Sequence, residues 1–432
     1  MQVKKLFGAF TALICLGACS HDKRPVVDAA LIDSLINYYT PPAMAVINRR
    51  ELGFWSSRIN PSSPGFLNES KYAGCLMTAF RLFGDIDSLK KSDSVLEKID
   101  RDYHHREASV QMAMSAHCIS EHRFMEADSL LQQARRLGLR PYETLVASFD
   151  VDFELGRYPM AKTELNGIRS TNDFSYYFRR SKMDHLDGEL DSSIHDMVRA
   201  AGLTAGNDYL KGVALANAGD LYLHAGDLSG AGNAYLECIR MNNADFHSWM
   251  GLGWIALSHD GNPILAEKIF RWVQSKMGLP DPLFRLAQTA AVRRDSTFER
   301  DAARAFVRQA EEPVYGRMYN KYLIQLYTGI LQEPGRAEWL ARDELNNRAT
   351  PQTYAWYAWA LLANHKKDQA YAVYREHVSG QPLEALELYW MGRLMESLNK
   401  NYNAREFYRA AAGTRYDLDP ADAGYVLARL ED

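Results

Sequence analysis

The stretch GDLYLHAGDLSGAGNAYLECIRMN, residues 219–242, determines the fold class that the sequence predicts. Gly219 and Ala231 are small residues at positions where two helices would approach closely, and Tyr235 would fill the space beside them. Gly226 stands between the two halves and suits a turn, because glycine adopts a positive φ without steric strain. A glycine inside a helix costs about 0.5–1 kcal/mol, so close packing must offset that loss. The stretch therefore predicts two helices in close contact, joined by a tight turn.

The pattern recurs along the chain. A small residue of the second helix returns nine times, at intervals of 32 to 38 residues, and a large residue usually follows four positions later. These small residues are Ala127, Ala161, Ser193, Ala231, Ala266, Ala303, Ala337, Ala370 and Ala404. The spacing resembles the tetratricopeptide repeat (TPR), a helix–turn–helix unit of 34 residues. The resemblance implies an all-α, right-handed α-solenoid with capping helices. Residues 70–99 fit a degenerate first pair, residues 259–263 lengthen one turn, and residues 202–212 lengthen a loop between repeats. Residues 313–334 fit the repeat poorly.

The repeat pattern also predicts how the chain is divided. Residues 1–18 are expected to be a lipoprotein signal peptide and residues 19–26 a tether. Residues 27–69 are expected to hold N-terminal capping helices and a linker. The TPR array, of about ten helix pairs, would cover residues 70–418. An Asp-Pro pair, a common helix start, opens the segment 419–432, which is expected to form a C-terminal capping helix.

The N-terminus has the pattern of an export signal. Lys4 and Lys5 form a positively charged region, and the apolar segment that follows is too short to span a membrane as a mature helix. It ends in Leu-Gly-Ala-Cys, residues 16–19, which resembles the bacterial lipobox. The resemblance implies that Cys19 carries a diacylglyceryl group with fatty acids such as palmitate, and two or three acyl chains anchor a protein stably to a membrane. The alternative is an ordinary secretory signal with a chance cysteine.

The residue after the cysteine bears on localisation. Ser20 stands there instead of aspartate, which by resemblance to enterobacterial sorting favours the outer membrane. We therefore expect a lipid-anchored outer-membrane protein, facing the periplasm or the cell surface. An exported group of bacterial TPR proteins also resembles residues 105–260, which adds to the expectation of export and implies no substrate.

The composition of the chain argues against some classes of function. With 24% charged and 47% hydrophobic residues the chain has the mix of a folded soluble protein, and its net charge of −4 without a basic block argues against nucleic-acid binding. After export, Cys75, Cys118 and Cys238 remain, an odd number widely separated in sequence. This arrangement predicts neither a disulfide framework nor a Cys-x-x-Cys site.

The chain contains no recognisable catalytic or metal-binding motif. The segment HCISEH, residues 117–122, has the wrong spacing for either zinc-protease helix motif. In repeat register Cys118 takes a core position, and His122 takes the turn position that glycine holds elsewhere. We therefore predict no catalytic residue, no metal site and no cofactor, and the sequence does not indicate an oligomeric state.

Function would then reside in the concave groove, which helix A lines in such arrays. Positions on that face hold aromatic and arginine side chains, residue types that are enriched at binding hot spots. The candidate partner-binding residues are His247, Trp254, Arg285, Trp359, Tyr389 and Arg393. The alternative for the two tryptophans is a structural role, in which each packs against the helix of the next repeat.

The preferred function is a non-enzymatic, membrane-anchored scaffold of the bacterial cell envelope that binds a protein or an extended peptide in this groove. One alternative is a lipoprotein that binds glycan or peptidoglycan, which exposed aromatic residues facing a cleft would favour. A further alternative is an all-helical, glycan-active enzyme. A carboxylate pair or a Tyr–His pair across the groove, with a raised pKa, would favour the enzyme.

Overall fold

A computed structural model describes residues 25–60 and 62–431, and these residues form 23 α-helices without a β-strand. The predicted signal peptide and Cys19 lie outside the described residues. None of the helices described is both long and apolar enough to cross a membrane. The helices are α1 (Ala29–Asn37), α2 (Ala43–Ser56), α3 (Phe66–Phe83), α4 (Ile86–Asp102), α5 (Ala108–Ser120), α6 (Phe124–Arg136), α7 (Pro141–Glu154), α8 (Tyr158–Ile168), α9 (Phe174–Leu186), α10 (Leu190–Gly202), α11 (Asp208–Ala225), α12 (Leu228–Met241), α13 (Phe246–Ser258), α14 (Pro263–Gln274), α15 (Asp281–Val292), α16 (Ser296–Ala310), α17 (Asn320–Thr328), α18 (Pro334–Glu344), α19 (Pro351–Ala363), α20 (Lys367–Val373), α21 (Ala385–Ser397), α22 (Asn401–Gly413) and α23 (Pro420–Glu431).

From α3 to α22 the helices pack as ten consecutive pairs, each made of a first helix (helix A) and a second helix (helix B). All nine small residues of the predicted pattern lie on B helices and are buried. Eight of them are the fourth residue of their helix, whereas Ala303 lies one turn later in α16. The predicted all-α solenoid is confirmed, and its fold is of the TPR type.

Each turn between helix A and helix B contains one residue with a positive φ. Gly226 adopts φ +79° after α11, as its place between the two helices predicts. His122 adopts φ +56° in the equivalent turn, which confirms that it replaces the usual glycine. Across the ten pairs the turn residues are Gly84, His122, Gly156, Gly188, Gly226, Gly261, Arg294, Gln332, His365 and Asn399.

Glycines on helix A leave space for aromatic rings of helix B. A Cβ atom added at Gly219 would overlap the Tyr235 ring, and one added at Gly392 would overlap Tyr408 in the same way. Both rings are almost completely buried. The cost of glycine within these helices is therefore offset by the burial of a large ring.

Ala231 offers a test of this packing. Replacing Ala231 with leucine should lower the free energy of unfolding by about 1–3 kcal/mol, because the residue is fully buried and three more carbons would overpack the contact between the helices. Urea denaturation would measure the change. Asn233→Leu, at an exposed position of the same helix, is the matched control and should change stability by about 0.5 kcal/mol or less. Equal losses in the two variants would contradict the assigned repeat register.

The solenoid coils back on itself, so that its first half stacks on its second half. The backbone N–H of Gly278 donates a hydrogen bond of 2.8 Å to the carbonyl of Phe83. Further along, Asn347 accepts a hydrogen bond from the N–H of Phe124 and donates one to the carbonyl of His122, across 223 and 225 residues of sequence. The A–B turns of the early pairs therefore rest on the loops that follow the B helices of the later pairs.

The segment before the array is held by the same coil. The lengthened turn at residues 259–263 places Asp260 so that its carboxylate accepts hydrogen bonds of 2.9 Å from the N–H groups of Val26 and Val27. Helix α1 lies against α14, and α2 packs on α3. The N-terminal segment therefore contacts both the first helix of the array, α3, and the α13–α14 pair in the middle of the array.

The structure departs from regular repeats in two places, at residues 313–334 and at the C-terminus. In the segment that fits the pattern poorly, a 3₁₀ turn at Pro313–Tyr315 precedes α17, which has only nine residues. At the C-terminus, Asp419 caps α23 by accepting hydrogen bonds from the N–H groups of Ala421 and Asp422. The 3₁₀ turn Arg415–Asp417 that precedes α23 packs against α11, so the end of the chain returns to the middle of the array.

Candidate functional site

A cleft on the inner face of the solenoid is the candidate binding site. It consists of two cavities of about 220 and 290 Å³ that share Asp220, Phe284, Arg285 and Tyr322 in their walls. These residues belong to the A helices α11, α15 and α17, and α13 contributes to the first cavity. We call this continuous space the concave cleft. Helix A lines it, as TPR architecture predicts.

Three of the six predicted partner-binding residues meet in the first cavity. His247, Trp254 and Arg285 all line it. The guanidinium carbon of Arg285 lies 4.0 Å from the centre of the Trp254 ring, a cation–π contact. Trp254 is only 3% exposed, and its indole N–H donates a hydrogen bond of 2.6 Å to the carbonyl of Tyr416. The tryptophan therefore supports the arginine and the returning C-terminal segment, and offers little free surface of its own.

Arg285 is the cation of the cleft that lacks an ionic partner. Its guanidinium donates one hydrogen bond, of 2.9 Å, to the Gln288 side chain, and no carboxylate of the described chain lies within ion-pair distance. Burial lowers the pKa of the Arg285 guanidinium, although arginine remains protonated in proteins. A planar cation with unused donors in a cleft is suited to bind a carboxylate in bidentate fashion.

His247 also lines the first cavity and is paired within the protein. Its Nε2 lies 2.9 and 3.0 Å from the two carboxylate oxygens of Asp220, and the Tyr235 hydroxyl donates to the same carboxylate. The negative charge of Asp220 raises the pKa of His247 to about 9, so the imidazole is protonated at neutral pH. The pair is close to neutral overall. Asp281, whose carboxylate accepts a hydrogen bond of 2.7 Å from the Tyr319 hydroxyl, also lines this cavity, so Arg285 is its one cation without an ion pair in the described chain but not its only charge.

The second cavity is more polar and more acidic. Glu384, Asp417 and Asp419 line it together with Lys321. Lys321 forms an ion pair of 2.9 Å with Glu387, whose side chain is completely buried. The C-terminal segment supplies two of these acids, so part of the wall forms only because the coil closes on itself.

The other three predicted residues lie together outside the walls of these two cavities. Trp359 stacks on Trp390 with ring centres 5.4 Å apart, and its N–H donates to Thr328. Tyr389 is 5% exposed and accepts a hydrogen bond of 2.8 Å from Arg393. Arg393 also lies 4.6 Å from the Tyr425 ring of α23. These polar groups are engaged within the chain.

Sequence reasoning did not single out Asp220, Gln288, Tyr322 or the acids of the second cavity. Gln288 could have been found, because it lies one helical turn after Arg285 on the same face. Tyr322 could not, since it falls in the segment where the repeat register is irregular. The acids of the C-terminal segment reach the cleft through tertiary contact alone.

The histidine and cysteine residues near residue 120 have structural roles. Cys118 is buried, as predicted, and His117 pairs with Asp93 at 2.8 Å. Cys75, Cys118 and Cys238 are buried free thiols in the described part of the chain. Burial raises the pKa of Cys118 and of Cys238 to about 12, which suppresses the reactive thiolate.

Comparison with known proteins gave structural neighbours only. No protein-family model and no curated protein matches the chain. PilF of Pseudomonas aeruginosa is similar with 10% identity and a TM-score of 0.37, over 50% of this chain and 97% of PilF. A tetratricopeptide repeat protein of Parabacteroides merdae has 12% identity and a TM-score of 0.35, over 60% and 99%. Human IFIT1, solved as a dimer with PPP-AAAA, has 12% identity and a TM-score of 0.47, over 77% of each chain. The function of this chain is therefore inferred from its own residues.

Proposed function

We propose that this protein is a lipid-anchored scaffold of the bacterial cell envelope, whose concave cleft binds an extended segment of a partner protein. A carboxylate of that segment, from an acidic side chain or a chain terminus, would pair with Arg285. The single observation that carries the proposal is the unpaired guanidinium of Arg285, fixed over Trp254 in the wall of the cleft.

The walls of the cleft support an extended peptide as the ligand. Met250 is partly exposed and supplies apolar surface in the first cavity, whereas Phe246 and Phe284 in the same wall are almost completely buried. Tyr322, also partly exposed, lines both cavities. Apolar walls with a few oriented polar groups are typical of ligand-binding clefts. The acids of the second cavity would repel a second carboxylate, so one acidic group placed opposite Arg285 and uncharged or basic neighbours would fit best.

Site-specific photocrosslinking tests the binding surface. A diazirine amino acid at Gln325, which lines the second cavity, would capture a partner in envelope membranes. Gln132, exposed on helix B of the α5–α6 pair, is the matched control position. One dominant protein adduct at position 325, absent at 132 and lost when Arg285→Gln is added, is the expected result. Adducts that survive Arg285→Gln would contradict the role of the arginine, and glycan adducts would favour the carbohydrate-binding alternative.

The anchor is tested separately. Cys19→Ala should leave an uncleaved precursor that incorporates no labelled palmitate, because the modified thiol is absent. Ser20→Ala is the neighbouring control and should be processed and labelled as the unmodified protein is. Unchanged labelling of Cys19→Ala would contradict the lipoprotein assignment while leaving the cleft proposal intact.

A further inference from the structure

Two histidines from neighbouring repeats meet at the edge of the second cavity. His185 lies near the end of α9 and His224 near the end of α11, both of them A helices. Their Nε2 atoms are 3.3 Å apart, and their rings are nearly perpendicular, at 84°. Both side chains are half-buried.

The separation of the two nitrogens matches that of two ligands on one metal ion. Zinc binds histidine nitrogen at 2.0–2.1 Å in tetrahedral geometry, which places two such nitrogens about 3.3–3.4 Å apart. A hydrogen bond between two neutral imidazoles would also fit this distance. The neighbouring side chains therefore have to distinguish a metal site from a direct hydrogen bond.

Glu384 supplies a third ligand from the other half of the coil. Ligand atoms of His185, His224 and Glu384 all lie within 4.8 Å of one another. The Glu384 carboxylate has neither a hydrogen bond nor an ion pair with any part of the chain that the structure describes. Two imidazoles and one carboxylate are a donor set typical of zinc.

Asp417 orients one of the histidines. Its carboxylate contacts Nδ1 of His224, which leaves Nε2 of that ring directed at His185 and free to bind a cation. A carboxylate that holds the far nitrogen of a histidine ligand is a regular feature of metal sites and raises the basicity of the ligand. Asp417 and Asp419 also add negative charge to the cavity beside the three ligands.

We propose that His185, His224 and Glu384 form a binding site for Zn²⁺, with Asp417 as the positioning residue of His224. All three ligands line the 290 Å³ cavity, and a water molecule from that cavity would complete the tetrahedron. Because Glu384 comes from the later helix pairs and the histidines from the earlier ones, the ion would also join the two halves of the coil.

Zinc titration of the purified, chelator-treated full-length protein tests the site. Calorimetry should give one Zn²⁺ per chain, and Co²⁺ in its place should give the visible absorption of a tetrahedral complex. Glu384→Gln should weaken zinc binding at least tenfold and remove the tetrahedral spectrum. Asp417→Asn should weaken binding by about 10- to 100-fold, as loss of an orienting carboxylate does elsewhere.

Glu384→Gln is the decisive variant because the carboxylate has no bonding partner whose loss would unfold the protein. Its melting temperature without metal should match that of the unmodified protein, and zinc should raise the melting temperature of the unmodified protein more than that of the variant. His195→Gln, at an exposed site on α10, is the matched histidine control and should bind zinc normally. The proposal is overturned if the unmodified protein binds no zinc, or if Glu384→Gln binds it equally well. Equal loss in His195→Gln would also overturn it.

Discussion

Replacing Glu387 with alanine is expected to lower the free energy of unfolding by about 3 kcal/mol, at the low end of the range for breaking a buried ion pair. The Glu387 carboxylate is completely buried between α17 and α19, where it pairs with Lys321 at 2.9 Å and accepts a hydrogen bond of 2.7 Å from the Trp356 indole. Its removal leaves a cation and an N–H donor without their partner. Lys321 remains one-third exposed, so water recovers part of the loss.

Guanidinium denaturation monitored by tryptophan fluorescence would measure this effect. Glu387→Gln, which keeps a hydrogen-bond acceptor for Trp356 but removes the charge, should fall between Glu387→Ala and the unmodified protein. Glu376→Ala is the matched control, because that glutamate is 73% exposed and its one ion pair within the described residues is with His377, so its loss should be within about 0.5 kcal/mol. If Glu387→Ala were as stable as this control, the buried pair would not support the C-terminal repeats.

Asn347→Ala is expected to lower the free energy of unfolding by about 2–4 kcal/mol, because it leaves one buried and one partly buried backbone group unpaired, at about 1–3 kcal/mol for a buried group. The side chain accepts a hydrogen bond of 3.0 Å from the Phe124 N–H and donates one of 2.7 Å to the His122 carbonyl. Both groups belong to the other half of the coil. Hydrogen exchange should therefore accelerate at the Phe124 amide, far from the substituted residue in sequence.

The adjacent residue provides the control for this prediction. Asn346 is exposed, and Asn346→Ala should change neither stability nor exchange at Phe124. Denaturation and amide exchange measured on the same samples would show whether Asn347 stabilises the contact between the two halves or only its own loop. If Asn347→Ala were destabilised without faster exchange at Phe124, the asparagine would stabilise its own loop and not the contact between the two halves.

The fold was predictable to the extent that it depends on local packing. Small residues at the helix–helix contact recur in the sequence because the contact itself recurs, and nine of them sufficed to predict the solenoid. The turns were harder to recognise, since half of them place a residue such as His122 or Asn399 in the left-handed region where glycine is usual. In those repeats the fixed geometry of the turn overrides the preference of the residue.

The candidate site was predictable only in part. His247, Trp254 and Arg285 share a cavity because they occupy equivalent faces of neighbouring A helices, which the repeat pattern defines. The juxtaposition of His224 with Glu384 depends on how small rotations between successive repeats add up until the coil meets itself. The summed rotation cannot be read from any short sequence pattern. The prediction that the chain has no metal site therefore rested only on the spacing of residues within motifs.

The contact between the two halves of the coil also determines how the molecule would respond to tension. An open array of repeats lengthens gradually when its ends are pulled, since each repeat touches only its neighbours. Here the hydrogen bonds at Phe83, at Phe124 and at Val26 link distant parts of the chain and must break first. The protein would therefore keep its length up to a threshold force. Above that force the contacts between the two halves would break, and the array would lengthen while its helix pairs remain folded.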